Sequence, residues 1–272
     1  MLWALQNNIV APNRYMQLIS ACEKLNIPYV KFRAYPDGNT NLSNPTYPKI
    51  PTIRSDIPVI FCATTFAIRR VYESKKWYPG TYFNPDTFIY TEYNKNYGDM
   101  MINFDSEIMT IGDLKKSDRP MNQKYFIRPI KDLKEFTGLV IEFREIKEWD
   151  LENDKAKDYA TLDTEIIVSN PVSITKEWRL FIVKDFDVIK VVSGSQYIQD
   201  HKFHIDIIVP NNVLEFALTA ARKWTPAPVF VMDIAEIDGK DLKIIECNCF
   251  NCSGFYGANV EKIVGTVDNM RI

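Results

Sequence analysis

Two apolar runs flank an Asp–Gly pair near the end of the chain: Val229 to Ile237, then Asp238-Gly239, then Leu242 to Asn248. That arrangement is the strongest short-range signal for a β-hairpin, and it fixes which residues stand beside one another. Asp233 lies in the middle of the first run, between Met232 and Ile234, where a charge is costly unless a cation compensates it. Glu246 and Asn248 are two apart in the second run, so strand alternation puts both on one face. A hairpin bearing Asp, Glu and Asn presents hard oxygen ligands, the set that suits magnesium and, through it, nucleotide phosphates. The competing reading is a structural ion-pair network around Asp233 and Glu246.

Cys247, Cys249 and Cys252 offer a rival metal, because three nearby thiols with His201 or His204 would make a zinc set. Alternation opposes it: if Glu246 and Asn248 face a ligand, Cys247 and Cys249 face the core, where free cysteine is at home. An odd count of 5 cysteines also argues for a reducing compartment rather than a disulfide scaffold. A net charge of −2 removes the basic footprint of a nucleic-acid binder. No apolar run is long enough to span a bilayer, and the opening Met1 to Asn8 does not read as a secretion signal. The expected setting is the cytoplasm, with no nucleic acid and no membrane as partner.

The chain of 272 residues has room for two domains. Trp3 to Gln6 reads as a strand. Asn13 to Leu25 reads as a helix, with Tyr15, Leu18, Ile19, Cys22 and Leu25 at helical spacing, and Tyr29 to Arg33 as a second strand. This strand–helix–strand opening predicts parallel pairing in an α/β unit. A turn-rich stretch with Pro36, Pro45, Pro48 and Pro51 follows. Val59 to Cys62 is then a third strand, and Thr64-Thr65 is set to cap a helix over Phe66 to Ser74. The aromatics Trp77, Tyr78, Tyr82, Phe83, Phe88, Tyr90, Tyr93 and Tyr97 show no clear period and suit either a pocket wall or packing under loops.

In the second half, the strand Tyr125 to Pro129 ends in Arg128-Pro129. After Lys131, Lys134 and Glu135-Phe136-Thr137-Gly138 comes the strand Leu139 to Phe143. A loop with Lys, Thr and Gly between two strands suits a flap closing over phosphates, or a plain solvated hairpin. Residues 144–163 are charged and read as a surface helix. Glu165 to Val168 is a strand. In the next, Val172 to Val183, Glu177 and Arg179 share one face while Trp178 and Leu180 take the other. Arg179 is then either an anion-directed side chain in a cleft or half of a cross-strand ion pair. Val188 to Val192 is another strand, Asn211 to Trp224 an amphipathic helix, and Asn259 to Met270 a capped helix.

Taken in order, Arg128-Pro129, Lys134-x-Phe136-Thr137-Gly138, Glu177-Trp178-Arg179, Asp233 and Glu246-x-Asn248 resemble the ATP-grasp superfamily. The likeness is to a compact branch common in phages and marked by two arginines and one lysine. Arg128 stands where the wider superfamily has lysine. The resemblance implies an α/β N-terminal domain over residues 1–104, then an α+β ATP-grasp fold over 105–272. In that fold two subdomains with mostly antiparallel sheets clamp the nucleotide: a flap and hinge part near 105–185 and a metal-binding part near 186–272.

It further implies that Arg128 and Lys134 contact ATP phosphates, with Thr137 and Gly138 in the flap. The strand Ile166 to Ser169, through Ile167 and Val168, would be the hinge holding adenine. Glu177 would sit near the nucleotide, and Arg179 would face the γ-phosphate, acting catalytically with Arg128. Asp233, Glu246 and Asn248 would hold magnesium, or manganese in its place. The implied activity is ATP- and magnesium-dependent ligation of a carboxylate to an amine through an acylphosphate, on a small-molecule or peptide substrate. Two alternatives stay open: a phosphotransferase that stops at phosphorylation, and a catalytically inactive nucleotide-binding module.

Overall fold

The computed structural model describes residues 1–8, 12–34, 52–130, 136–151 and 160–271. Most of the proline-rich turn segment lies outside these residues, as do Lys131, Lys134 and Glu135 of the expected flap.

Strands β1 (Leu2–Gln6), β2 (Tyr29–Phe32), β3 (Val59–Cys62) and the short β4 (Pro79–Gly80) form a parallel sheet in the order β2-β1-β3-β4. Helices α1 (Pro12–Lys24) and α2 (Thr65–Ser74) provide crossovers. β1 and β3 are buried along their whole length, as strands covered on both faces must be. The α/β expectation therefore holds. Thr64 does not cap α2 with its side chain. Its amide and hydroxyl both turn to the Gln6 Oε1 acceptor at the end of β1, at 2.9 and 3.1 Å.

After α3 (Tyr90–Tyr97), a second sheet is built from β5 (Glu107–Thr110), β6 (Lys124–Pro129), β7 (Leu139–Glu142) and β8 (Glu165–Ser169). Its order is β5-β8-β6-β7, all antiparallel. Helices α4 (Ile111–Lys116) and α5 (Phe143–Glu148) close a small separate core around Ile127, Phe136, Phe143 and Trp149. The helix expected over residues 144–163 is cut short, because the chain turns extended at Trp149; residues 152–159 lie outside the described set.

The third sheet carries β9 (Ile174–Asp185), β10 (Val188–Gln199), β11 (Lys202–Asp206), β12 (Val229–Ile237) and β13 (Asp241–Cys249), with helices α6 (Asn211–Lys223) and α7 (Val260–Asp268) packed on it. Its order is β11-β10-β9-β12-β13. The two later sheets part between Ser169 and Ile174, whereas residue 185, the expected divide, falls at the tip of the β9–β10 hairpin. α6 stops at Lys223, and Trp224 follows in extended conformation. The Asp238-Gly239 turn closes β12–β13 as its sequence demands: φ is 51° and 73° at the two residues.

The large core runs continuously through the first and third sheets. The aromatics of segment 77–97 pack into it rather than lining a pocket. Only Tyr78 among them is strongly exposed, at 65%. Tyr93 and Tyr97 reach it as amphipathic pillars, their hydroxyls donating to the carbonyls of Cys247 at 2.9 Å and Trp224 at 3.1 Å. Among the described residues no helix is long and apolar enough to cross a membrane.

One side chain rivets the first sheet to the third. Asn251, fully buried just after β13, donates to Phe61 O at 2.6 Å and accepts from Tyr82 N–H at 2.8 Å. Its own carbonyl accepts from Arg14 Nη2 at 2.6 Å and from Ala63 N–H at 2.9 Å. Asn251→Ala deprives a buried amide and a buried carbonyl of their partner at once. We expect a loss of about 3 kcal/mol, measured as a shift in urea unfolding; a loss under about 1 kcal/mol would show the rivet to be dispensable.

Candidate active site

Three sequence-distant segments meet at the Asp–Gly hairpin. Register places Asp233 of β12 opposite Glu246 of β13 on one side and opposite Arg179 of β9 on the other. Arg179 grips Asp233 with two hydrogen bonds, Nε to Oδ1 at 2.8 Å and Nη2 to Oδ2 at 2.7 Å. Asn248 spans the carboxylates, its Nδ2 lying 3.0 Å from Asp233 Oδ2 and 3.0 Å from Glu246 Oε1. From the second sheet Arg128 crosses to Glu246, with Nη1 3.1 Å from Oε2. So the acids and the arginines expected to share a ligand are brought together, and here they neutralise one another.

The charges are partly desolvated. Burial pushes the Asp233 carboxyl above its ordinary value, against the pull of the Arg179 guanidinium. Burial alone would lower Arg179, but the charge and hydrogen bonds of Asp233 outweigh that and hold it above its usual range, firmly protonated. Glu177 is also raised, first by burial and then by Asp233 and Glu246, while a hydrogen bond from Tyr197 works the other way. That bond, Tyr197 Oη to Glu177 Oε2, is 2.5 Å long.

Around this floor opens a cleft of about 880 Å³. Its far wall comes from the second sheet: Phe126, Arg128, Phe136, Thr137, Gly138 and Val140. A Cβ at Gly138 would stand 3.0 Å from the Phe126 ring and 3.3 Å from Arg128 Cβ, so glycine lets the flap backbone lie close over β6. At the other end Tyr197 and Tyr256 stack, with centroids 4.6 Å apart, and the Arg179 guanidinium sits 4.8 Å from the centre of Tyr256. Such stacking orients the guanidinium plane as well as stabilising it.

Most expected site residues are on this cleft: Arg128, Thr137, Gly138, Glu177, Arg179, Asp233, Glu246 and Asn248. Lys134 lies outside the described residues. Ile167 and Val168 are not on it. They are buried in β8, whose backbone is flanked on both sides by β5 and β6, and so cannot serve as an open hinge. The chain reaches the cleft immediately afterwards, at Asn170, Pro171 and Val172. Tyr197, Tyr256 and Phe126 were missed as site residues. Phe126 had a usable signal, being two residues from Arg128 on one strand. Tyr256 had none, since it comes from the loop after β13.

Cys247 and Cys249 face the core, nearly inaccessible, and burial drives both thiols upward in pKa. His201 lines the cleft, whereas His204 is exposed on β11. No group of three or more His, Cys, Asp or Glu at metal-ligand spacing exists among the described residues. The zinc alternative therefore has no support from this geometry. The candidate set for a hard cation is two carboxylates and one amide. Two of those three carry charge now balanced by arginine, and all three possess oxygen donors, so the residues fit magnesium or manganese by chemistry.

A family model for an ATP-grasp domain, family 2 of the clade whose name denotes two arginines and one lysine, matches residues 106–265. No curated protein matches the chain by sequence. Among solved structures the chain is similar to D-cycloserine synthetase DcsG, at TM-score 0.60 and 12% identity with 100% of both chains covered. It is similar to carboxyaminoimidazole ribonucleotide synthase from Aspergillus clavatus complexed with ATP, at TM-score 0.63 and 10% identity over 100% of this chain and 77% of that one. It is similar too to ATP-grasp ligase PsnB complexed with minimal precursor, at TM-score 0.55 and 10% identity over 94% of this chain and 92% of that one. At such identities the likeness is one of fold.

Proposed function

Because the chain belongs to the ATP-grasp superfamily, we propose that it is a magnesium-dependent ligase that uses ATP to join a carboxylate to an amine. The observation that supports this most is Arg128 crossing from the flap sheet to Glu246 on the floor, beside the Arg179–Asp233 pair. Nucleotide phosphates entering between the two sheets would meet guanidinium groups from both sides and acids positioned for a metal.

The chemistry is a double displacement. A carboxylate oxygen attacks the γ-phosphorus, the bond to the β–γ bridging oxygen breaks, and ADP leaves. The amine then attacks the acyl carbon, the bond to the phosphate oxygen breaks, and the nitrogen sheds a proton. Magnesium held by Asp233, Glu246 and Asn248 would supply charge neutralisation at the phosphate oxygens. Arg179 keeps one amino group, Nη1, in only a long 3.4 Å contact with Gly254 O; it is the donor best placed to turn toward a transferring phosphoryl group. Thr137 and Gly138 would close over the phosphates, and Phe126, Val140 and Val172 would flank the adenine. Adenine would take its backbone bonds from residues 170–172 rather than from β8. The cytoplasm, and the phage setting of the branch, remain part of this reading.

ATP with magnesium at millimolar concentration should raise the unfolding temperature, since a ligand that binds only the folded state stabilises it. No shift would sink the nucleotide reading. Release of ADP that requires both a carboxylate and an amine supports ligation, whereas ADP release with a stable phosphorylated product and no need for amine supports the phosphotransferase.

A further inference from the structure

The free edge of the five-stranded sheet is built differently from its opposite edge. β13 is covered where Ile102 N–H donates to Ile244 O at 2.9 Å and Met101 bridges the same residue. β11 pairs with β10 alone, and its first four residues are exposed. Phe203 and, just beyond the strand, Ile207 and Ile208 are 69%, 72% and 71% accessible, unusual for large apolar side chains standing together. An open edge with apolar side chains readily templates another strand unless something blocks it.

The order of residues along β11 indicates which strand. Phe203 and Ile205 point to the cleft side: the Phe203 ring lies 6.1 Å from that of Tyr256, and a Cβ at Gly257 would meet Ile205 Cγ2 at 2.7 Å. Alternation then puts Lys202, His204 and Asp206 together on the opposite side. The set is palindromic in chemistry. When two copies run antiparallel about His204, Lys202 stands opposite Asp206 twice, and Phe203 opposite Ile205 twice. Asp206 is available for this: its Oδ1 accepts from Ile208 N–H at 2.8 Å within the same strand end, so one oxygen is engaged locally. Ile207 extends the apolar row toward the partner's turn.

We propose that β11 pairs with β11 of a second copy of this chain, making one ten-stranded sheet across a two-fold axis. The two clefts then open on the same side of that sheet. The pairing does not depend on the chemistry performed in the cleft, so either conclusion stands if the other fails.

Sedimentation of the full chain up to about 100 μM tests it, a range in which even a modest interface is populated. The expected result is a dimer. Lys202→Asp and Asp206→Lys each place like charges opposite one another twice, and each should weaken the dimer by at least about tenfold. The double swap restores opposite signs and should return the dissociation constant to within about threefold of the parent. All three changes are at the surface, and circular dichroism should show the fold intact. A parent chain that stays monomeric throughout, or a double swap as weak as the single ones, overturns the proposal.

Discussion

Arg179→Met should destabilise the protein by about 3 to 5 kcal/mol, because it leaves the Asp233 carboxylate buried and without its cation. The reason lies in position. Asp233 is only 1% accessible and sits between two partner strands, so neither water nor a rotated side chain can take over the two hydrogen bonds it loses. Asn248 still donates one bond to Oδ2, but a neutral amide does not replace a guanidinium. Urea unfolding of the single variant and of the double variant Arg179→Met with Asp233→Asn makes the test specific. Removing both charges should recover a large part of the loss, since an unpaired buried charge costs more than a missing pair. Equal losses in the two variants would assign the effect to the packing of Arg179 against Tyr256 instead.

Glu246→Gln should separate activity from stability. The Glu246 side chain is 30% accessible, and its partners Arg128 and Asn248 can be solvated, so unfolding should change by less than about 1 kcal/mol. Turnover is another matter. The substitution removes one of the two charged donors proposed for magnesium, and ADP release should fall by about a hundredfold to a thousandfold. If metal affinity is the cause, raising the magnesium concentration should recover part of that rate. Parent-like ADP release in Glu246→Gln would refute the assignment of this floor as the metal site.

The parts of the site that could be read from sequence were those governed by local rules. Alternation along one strand put Glu246 with Asn248 and Glu177 with Arg179, and the Asp–Gly turn joined the first pair to Asp233. Strand order is a different kind of information. Ile166-Ile167-Val168 reads as a buried strand whether it lies at the centre of a sheet or beside a ligand, and only the pairing with both β5 and β6 excludes the hinge role. The same limit hid the Arg179–Asp233 pair, which depends on β9 and β12 being neighbours across more than fifty intervening residues. The cysteine cluster shows the reverse. Spacing suggested zinc, and alternation, a stronger constraint, correctly turned two of the thiols to the core.

The Asn251 rivet has a consequence for how the chain folds as it is made. The first sheet holds the earliest residues to be synthesised, yet Phe61, Ala63, Tyr82 and Arg14 all bond to a residue that emerges nearly two hundred positions after β3. Helix α1 likewise waits for α7 to cover it. Domains commonly fold in order of their appearance from the ribosome. Here the opening unit stays uncovered until almost the whole chain has been translated, so completion of the parallel sheet is coupled to formation of the floor that carries Glu246 and Asn248. A nascent chain stalled before residue 251 would display Trp3 and Phe61 to the chaperones that bind exposed apolar surface, and it would acquire its first sheet and its candidate active site together.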